Sequence, residues 1–500
     1  MGKTSLDKDL NKVVRLEEAT AAGGRRLALP GLAAVFIAGC AIFAAAFVAE
    51  GPMAIYVTVG ALIAGYMALN IGANDVANNM GPAVGSRALT MGGALLIAAV
   101  CEAAGAIIAG GDVVQTISKD IVTPPADMAA TDFLMVMMAA LLASAVWVNV
   151  ATVLGAPVST THAVVGAVIG AGMAAAGGGV VNWPVMGGIA ASWVISPLLG
   201  GLVAAALLAF IKWKILFKQD RVAAARRWVP LLVALMAGVF TLYMLGKGLA
   251  PIMAVGPVLT LVATLAATLA AWALAWPWVR RRARDMENRR KAVSRLFVPP
   301  LIVAAALLSF AHGANDVANA VGPLAAIAAA AKAGIAAPSE VALPVWVLLI
   351  GAAGISLGLA LFGPRLIRTV GQEITRMDPM RAYCAALSAA ITVLGASHLG
   401  LPVSSTHIAV GAVFGVGLLR EAMTNRGWRR RPPQDRRPVK VEALNRTPEE
   451  ALKKALKRER RKLVRRRHMW SIGAAWVITV PAAGVIAALL YLGLDLLTRG

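Results

Sequence analysis

The chain has 500 residues, 59% hydrophobic and only 15% charged, with a mean hydropathy of +0.73. Apolar runs long enough to cross a bilayer recur, among them Leu27–Val48, Phe133–Leu154, Pro257–Val279 and Trp470–Leu490, so a polytopic membrane protein with roughly a dozen helices is expected. The formal net charge is +23. It sits in Met1–Arg26, Lys212–Arg227, Arg280–Arg295 and Arg420–His468, all flanking apolar spans, which argues for the positive-inside rule and anionic lipids and against a nucleic-acid partner.

In chain order, Leu27–Val48 reads as a retained first helix, because a long polar region precedes it and further spans follow. Nothing alternates in ten-residue strands, which excludes a β-barrel. Cys40, Cys101 and Cys384 lie in apolar segments without metal-ligand spacing and read as packing residues. Gly72–Pro82 reads GANDVANNMGP, and Gly313–Pro323 repeats it as GANDVANAVGP. Gly155–Gly170, GAPVSTTHAVVGAVIG, returns as GLPVSSTHIAVGAVFG at Gly400–Gly415. Ser192–Leu208 likewise resembles Ala475–Leu490. Two halves therefore carry the same polar motifs in the same order.

Four basic segments on one side fix a topology: residues 1–51 form a cytoplasmic N-terminus and first helix, 52–211 repeat one, 212–296 two connecting helices, and 297–500 repeat two. The connection before the last helix is short and uncharged at Gly177–Pro184. In the second half it is the long basic loop 420–468, with a net charge of +13. Inversion of the repeats places the first outside and the second in the cytoplasm, as the positive-inside rule requires. Within that loop, Arg426–Pro438 should lack regular structure, and Thr447 should start a basic surface helix. The expected fold is all-α, with two inverted repeats, about 12 transmembrane helices, and broken or re-entrant segments at the motifs.

No Lys or Arg lies within either GAND motif. A buried Asp without a basic partner needs a bound cation or a proton. Asn74, Asp75 and Asn78, with Asn315, Asp316 and Asn319, offer hard oxygen ligands suited to alkali ions. A capping and packing role is the alternative. Ser159, Thr160 and Thr161, and Ser404, Ser405 and Thr406, follow Gly-x-Pro-Val and precede smooth apolar helices. Helix N-termini rich in hydroxyls suit a tetrahedral oxyanion. Asp75 and Asp316 would repel that anion unless cations held them, and this couples the two ligands. His162 and His407 read as packing residues, proton carriers or direct substrate contacts. Glu102 stands alone in its span, opposite Gly351 in the second half, and is an ion-coupling candidate.

Together the two GANDVAN copies, the two P-V-S-[ST]-T-H copies and Glu102 resemble the inorganic phosphate transporter (PiT) family, over both repeats. That resemblance implies a secondary transporter of orthophosphate, coupled to Na+ or H+ and not an enzyme, in a bacterial inner membrane. It places Asn74, Asp75, Asn315 and Asp316 at the ion sites, binding Na+ if sodium-coupled. It places Ser159, Thr160, Thr161, Ser404, Ser405 and Thr406 at the phosphate site. No other cofactor is expected, and a homo-oligomer is left open. Competing readings are a sulfate permease of the same fold, an anion channel, and an intramembrane serine hydrolase built from Ser, His and Asp.

Overall fold

A computed structural model describes residues 28–155, 158–249, 255–336, 343–373, 377–425 and 466–499. The expectations for Met1–Arg26, for the Arg-Pro stretch and for a helix at Thr447 lie outside the described residues. The described residues are mainly helical, with one isolated bridge between Val122 and Val181. Twelve helices among them are long and apolar enough to span a membrane.

The first half contains α1 (Ala28–Phe47), α2 (Ala54–Gly85), α3 (Met91–Ala109), α4 (Ala130–Val153), α5 (Thr160–Ala176) and α6 (Trp183–Ile211). A hairpin follows, α7 (Arg221–Tyr243) and α8 (Pro257–Arg282). The second half contains α9 (Val298–Asp316), α10 (Ala318–Ala333), α11 (Val345–Glu373), α12 (Pro379–His398), α13 (Ser405–Asn425) and α14 (Arg466–Arg499).

The halves interlock, and each packing contact has a counterpart. Helix α2 packs on α11, as α9 packs on α3; α5 packs on α14, as α13 packs on α6; α4 packs on α14, as α12 packs on α6. The closest approaches obey the same exchange. A Cβ on Gly72 would strike the Ile355 carbonyl, and one on Gly313 the Glu102 carbonyl. Gly105 abuts the carbonyl of Phe310 and Gly358 that of Leu69. Gly166 and Gly170 lie against the backbone of Val480 and Gly484, as Gly411 and Gly415 lie against Pro197 and Gly201. Small residues at these crossings let backbones touch, which is how helices associate in lipid.

These contacts correct one alignment. They pair Gly105 with Gly358 and Gly110 with Gly363, so Glu102 stands opposite Ile355, not Gly351. Apolar sequence between motifs carries too little identity to fix the register, whereas a backbone crossing tolerates no slip.

The breaks fall at the motifs, but unevenly. The first GAND copy lies inside the uninterrupted α2, and the second is interrupted only at Val317. The longer irregular stretches open the second motif pair, between α4 and α5 and between α12 and α13. There Gly155 and Gly400, at matched positions, both take left-handed φ, +71° and +67°. Glycine adopts that conformation without a Cβ penalty, and the following proline cannot continue a helix. Non-helical backbone at membrane depth needs protein cover, and Pro402, Val403 and Ser404 are buried.

Candidate functional site

Each site begins at a helix start. Ser159 caps α5, its Oγ accepting from the His162 N–H at 3.2 Å; Ser404 does the same for His407 at 3.3 Å. Capping satisfies one of the backbone donors that a helix start leaves open. Behind the caps, the rings of His162 and His407 face each other at 4.6 Å. His162 also stacks on Trp193 at 3.7 Å, whose indole N–H donates to the Pro402 carbonyl at 3.1 Å. Both histidines therefore brace the two helix starts against each other.

The hydroxyls one and two residues further on reach the GAND motifs. Thr160 Oγ1 donates to Asp75 Oδ2 at 3.1 Å, and at the matched position Ser405 Oγ donates to Asp316 Oδ2 at 2.7 Å. Two further contacts run between the halves. Asn78 Nδ2 donates to Thr406 Oγ1 at 2.8 Å, and Asn319 Nδ2 to Thr161 Oγ1 at 3.1 Å. Asn74 donates to Thr152 at 2.8 Å, as Asn315 donates to Ser397 at 2.9 Å. Every candidate from the six-residue hydroxyl set and the six-residue Asn/Asp set is buried. The sequence reading separated an ion set from an anion set; the fold joins them in one network.

Symmetry stops at three residues. His312 Nε2 lies 3.0 Å from Asp316 Oδ2 and 3.8 Å from Asp75 Oδ2. His312 Nδ1 lies 3.2 Å from Glu102 Oε2, and Asn79 Nδ2 donates to Glu102 Oε1 at 2.9 Å. One ligand atom each from Asp75, His312 and Asp316 falls within 4.8 Å of the others, all buried. Sequence reasoning singled out Glu102 but missed His312 and Asn79. A signal was present: the matched positions hold Ile71 and Ala320, so both are polar residues that one half has and the other lacks. Thr116 was also passed over. Its hydroxyl donates to the Gly400 carbonyl at 2.8 Å and steadies the second left-handed turn.

Five buried oxygens in this network, Asn74 Oδ1, Asn79 Oδ1, Glu102 Oε2, Asp316 Oδ1 and Asn319 Oδ1, accept no hydrogen bond among the described residues. Buried acceptors without a donor are costly in an apolar surround. A small cation coordinated by oxygen resolves that cost, so the donor set fits a hard cation.

A sequence model described as "Phosphate transporter family" matches residues 71–487. The chain belongs to this family. A Helicobacter pylori protein (strain J99) named "Putative phosphate permease" is 45% identical, covering 94% of this chain and 95% of the relative. A Pyrococcus abyssi protein of the same description is 34% identical over 85% of this chain and 94% of its own length. Among solved structures, "The sodium-dependent phosphate transporter" matches with a TM-score of 0.74 and 32% identity, over 88% of this chain and 99% of that one. The family is one of transporters, which disposes of the serine hydrolase. The geometry agrees, since Ser159 Oγ and His162 serve as cap and brace on one helix turn.

Proposed function

We propose that this chain imports inorganic phosphate across a bacterial inner membrane by secondary active transport, with sodium rather than the proton as coupling cation. Asp75 and Asp316, with Asn74, Asn78, Asn315 and Asn319, hold the cations. Ser159, Thr160, Thr161, Ser404, Ser405 and Thr406 surround the phosphate, together with the backbone N–H groups of the two helix starts. Glu102 and His312 belong to the coupling machinery. The observation that carries this reading is the set of orphaned buried oxygens around Asp75 and Asp316, one of them on Asp316 itself. The name of the similar solved structure supports sodium.

The site explains why one ligand needs the other. Thr160, Thr406 and Ser405 donate hydrogen bonds to the Asp75 and Asp316 carboxylates. A cation on those carboxylates offsets their negative charge and releases the hydroxyls toward an oxyanion. Phosphate and cation then enter as a nearly neutral group, which lowers the cost of crossing an apolar barrier.

The exchanged packing of the halves and the placement of the basic segments support inverted repeats at 52–211 and 297–500, with α7 and α8 (within 212–296) as an accessory hairpin. Uptake of labelled phosphate into proteoliposomes tests the function. An inward sodium gradient should drive accumulation at constant pH, and a proton gradient alone should not. Excess sulfate should leave the rate unchanged. Uptake driven by pH alone overturns sodium coupling, and competition by sulfate overturns phosphate selectivity.

A further inference from the structure

A second polar site, sharing no residue with the candidate transport site, lies where the basic ends of α7 and α8 meet. The Arg226 side chain bridges these ends, with Nη2 donating to the Ala283 carbonyl at 2.6 Å. Beside it opens a cavity of about 590 Å³ lined by Arg226, Arg227, Arg280, Trp228, Trp272 and Trp276, with Ala223 and Leu231. That volume falls within the roughly 300–1,000 Å³ of small-ligand sites.

The cations here are held without being neutralised. The Arg227 guanidinium lies 5.4 Å from the Trp228 ring centre, Lys214 Nζ lies 5.3 Å from the same ring, and the Arg280 guanidinium lies 5.0 Å from Trp276. A cation–π contact fixes a cation in place but leaves its charge and its N–H edges available. None of the four cations forms an ion pair with a carboxylate among the described residues. Arg226 Nε is buried and has no acceptor. Above the cavity the hairpin turns apolar side chains outward: Leu231, Leu235, Leu265 and Leu269 are each more than two-fifths exposed. A cationic, tryptophan-lined mouth below a continuous greasy face matches the two ends of a phospholipid.

We propose that this cavity is a specific site for the phosphate headgroup of an anionic phospholipid, with its acyl chains lying along α7 and α8. Guanidinium groups pair bidentately with phosphate oxygens, and the indole N–H groups add donors at headgroup depth. The apolar wall selects a lipid over free phosphate, which has no chain to place there. The proposal rests on the membrane reading but not on which ion or anion is transported. It also differs from a general attraction of basic loops to the membrane, because it assigns the binding to three arginines and their aromatic platforms.

Native mass spectrometry of the detergent-purified full chain tests it, with phosphatidylglycerol and phosphatidylcholine of matched acyl chains as probes. Wild type should retain phosphatidylglycerol preferentially. R226Q/R227Q/R280Q should lose about a hundredfold of that preference, as three interfacial basic residues contribute. R281Q/R282Q, which removes two exposed arginines outside the cavity, should retain it. Trp276→Ala keeps the net charge and should still weaken retention several-fold, so the test survives if the triple variant misfolds. Equal loss in the R281Q/R282Q variant, unchanged retention in Trp276→Ala, or displacement of the lipid by millimolar inorganic phosphate would each overturn the proposal.

Discussion

Asp75 and Asp316 stand at matched positions in the two halves, yet their surroundings differ. Asp75 accepts hydroxyls from both helix starts, Thr160 at 3.1 Å and Thr406 at 3.0 Å. Asp316 accepts one, from Ser405, and faces His312 at 3.0 Å in place of a second. The hydroxyl matched to Thr406 is that of Thr161, and it turns away to the Val403 carbonyl at 3.0 Å. Duplication therefore built the frame, and a few unmatched residues made the two carboxylates unequal. Two like charges this close repel strongly in a low dielectric. The imidazole of His312 lies beside both, and Glu102, steadied by Asn79, lies on its other nitrogen.

Removing either carboxylate should have the largest effect. Asp75→Asn and Asp316→Asn are each expected to abolish sodium-driven uptake, by about a hundredfold or more, since a hydrogen bond to a charged group contributes roughly 1.5–3 kcal/mol beyond the lost ion contact. Uptake in proteoliposomes at matched protein content checks this, and near-normal rates in either variant would remove that carboxylate from the ion site.

The unmatched pair offers the sharpest test of the asymmetry. Glu102→Gln removes one of three carboxylates around His312, and His312→Gln leaves Glu102 with Asn79 alone; breaking a buried pair costs up to about 3–5 kcal/mol. The double variant should lose much less than the sum, with a coupling of about 1 kcal/mol or more. Thermal denaturation in detergent, run as a double-mutant cycle, measures this. Additive losses would mean that the two residues act separately.

A smaller effect should separate Thr406 from Thr161. Thr406→Val deletes a donor to Asp75 and is expected to weaken apparent sodium affinity about tenfold, in line with one hydrogen bond to a charged acceptor. Thr161→Val deletes a bond to a backbone carbonyl and one of the two acceptors of Asn319, which keeps Thr160 at 3.2 Å, and should leave sodium affinity within about threefold, neutral hydrogen bonds being weaker. Sodium titrations of the uptake rate distinguish them, and equal shifts would erase the difference between the halves at this position.

The smallest effects on stability should be the symmetric ones. Ser159→Ala and Ser404→Ala each remove a helix cap, so each should lower stability by about 1 kcal/mol, alongside weaker phosphate binding from the lost hydroxyl. Matched drops in melting temperature are expected. A drop confined to one serine would show that the other cap is not formed.

Much of the frame was legible from residues alone. Apolar runs gave the spans, because a bilayer demands about 20 apolar residues per crossing. The duplicated motifs gave the two halves and most of the site's buried polar residues, because a polar group is kept at membrane depth only at a cost. What sequence could not decide was which residues meet. Asn78 and Thr406 are 328 positions apart, Asn319 and Thr161 158. No local period links such pairs; only the interlocking of the halves does. The same holds for the partner of Glu102. By sequence it stood alone in an apolar span, and the crossing at Gly313 brings His312 against it. Local rules act within a turn or two of helix, so sequence could mark the polar residues, while close backbone packing alone chose their partners and made two copies of one motif unequal.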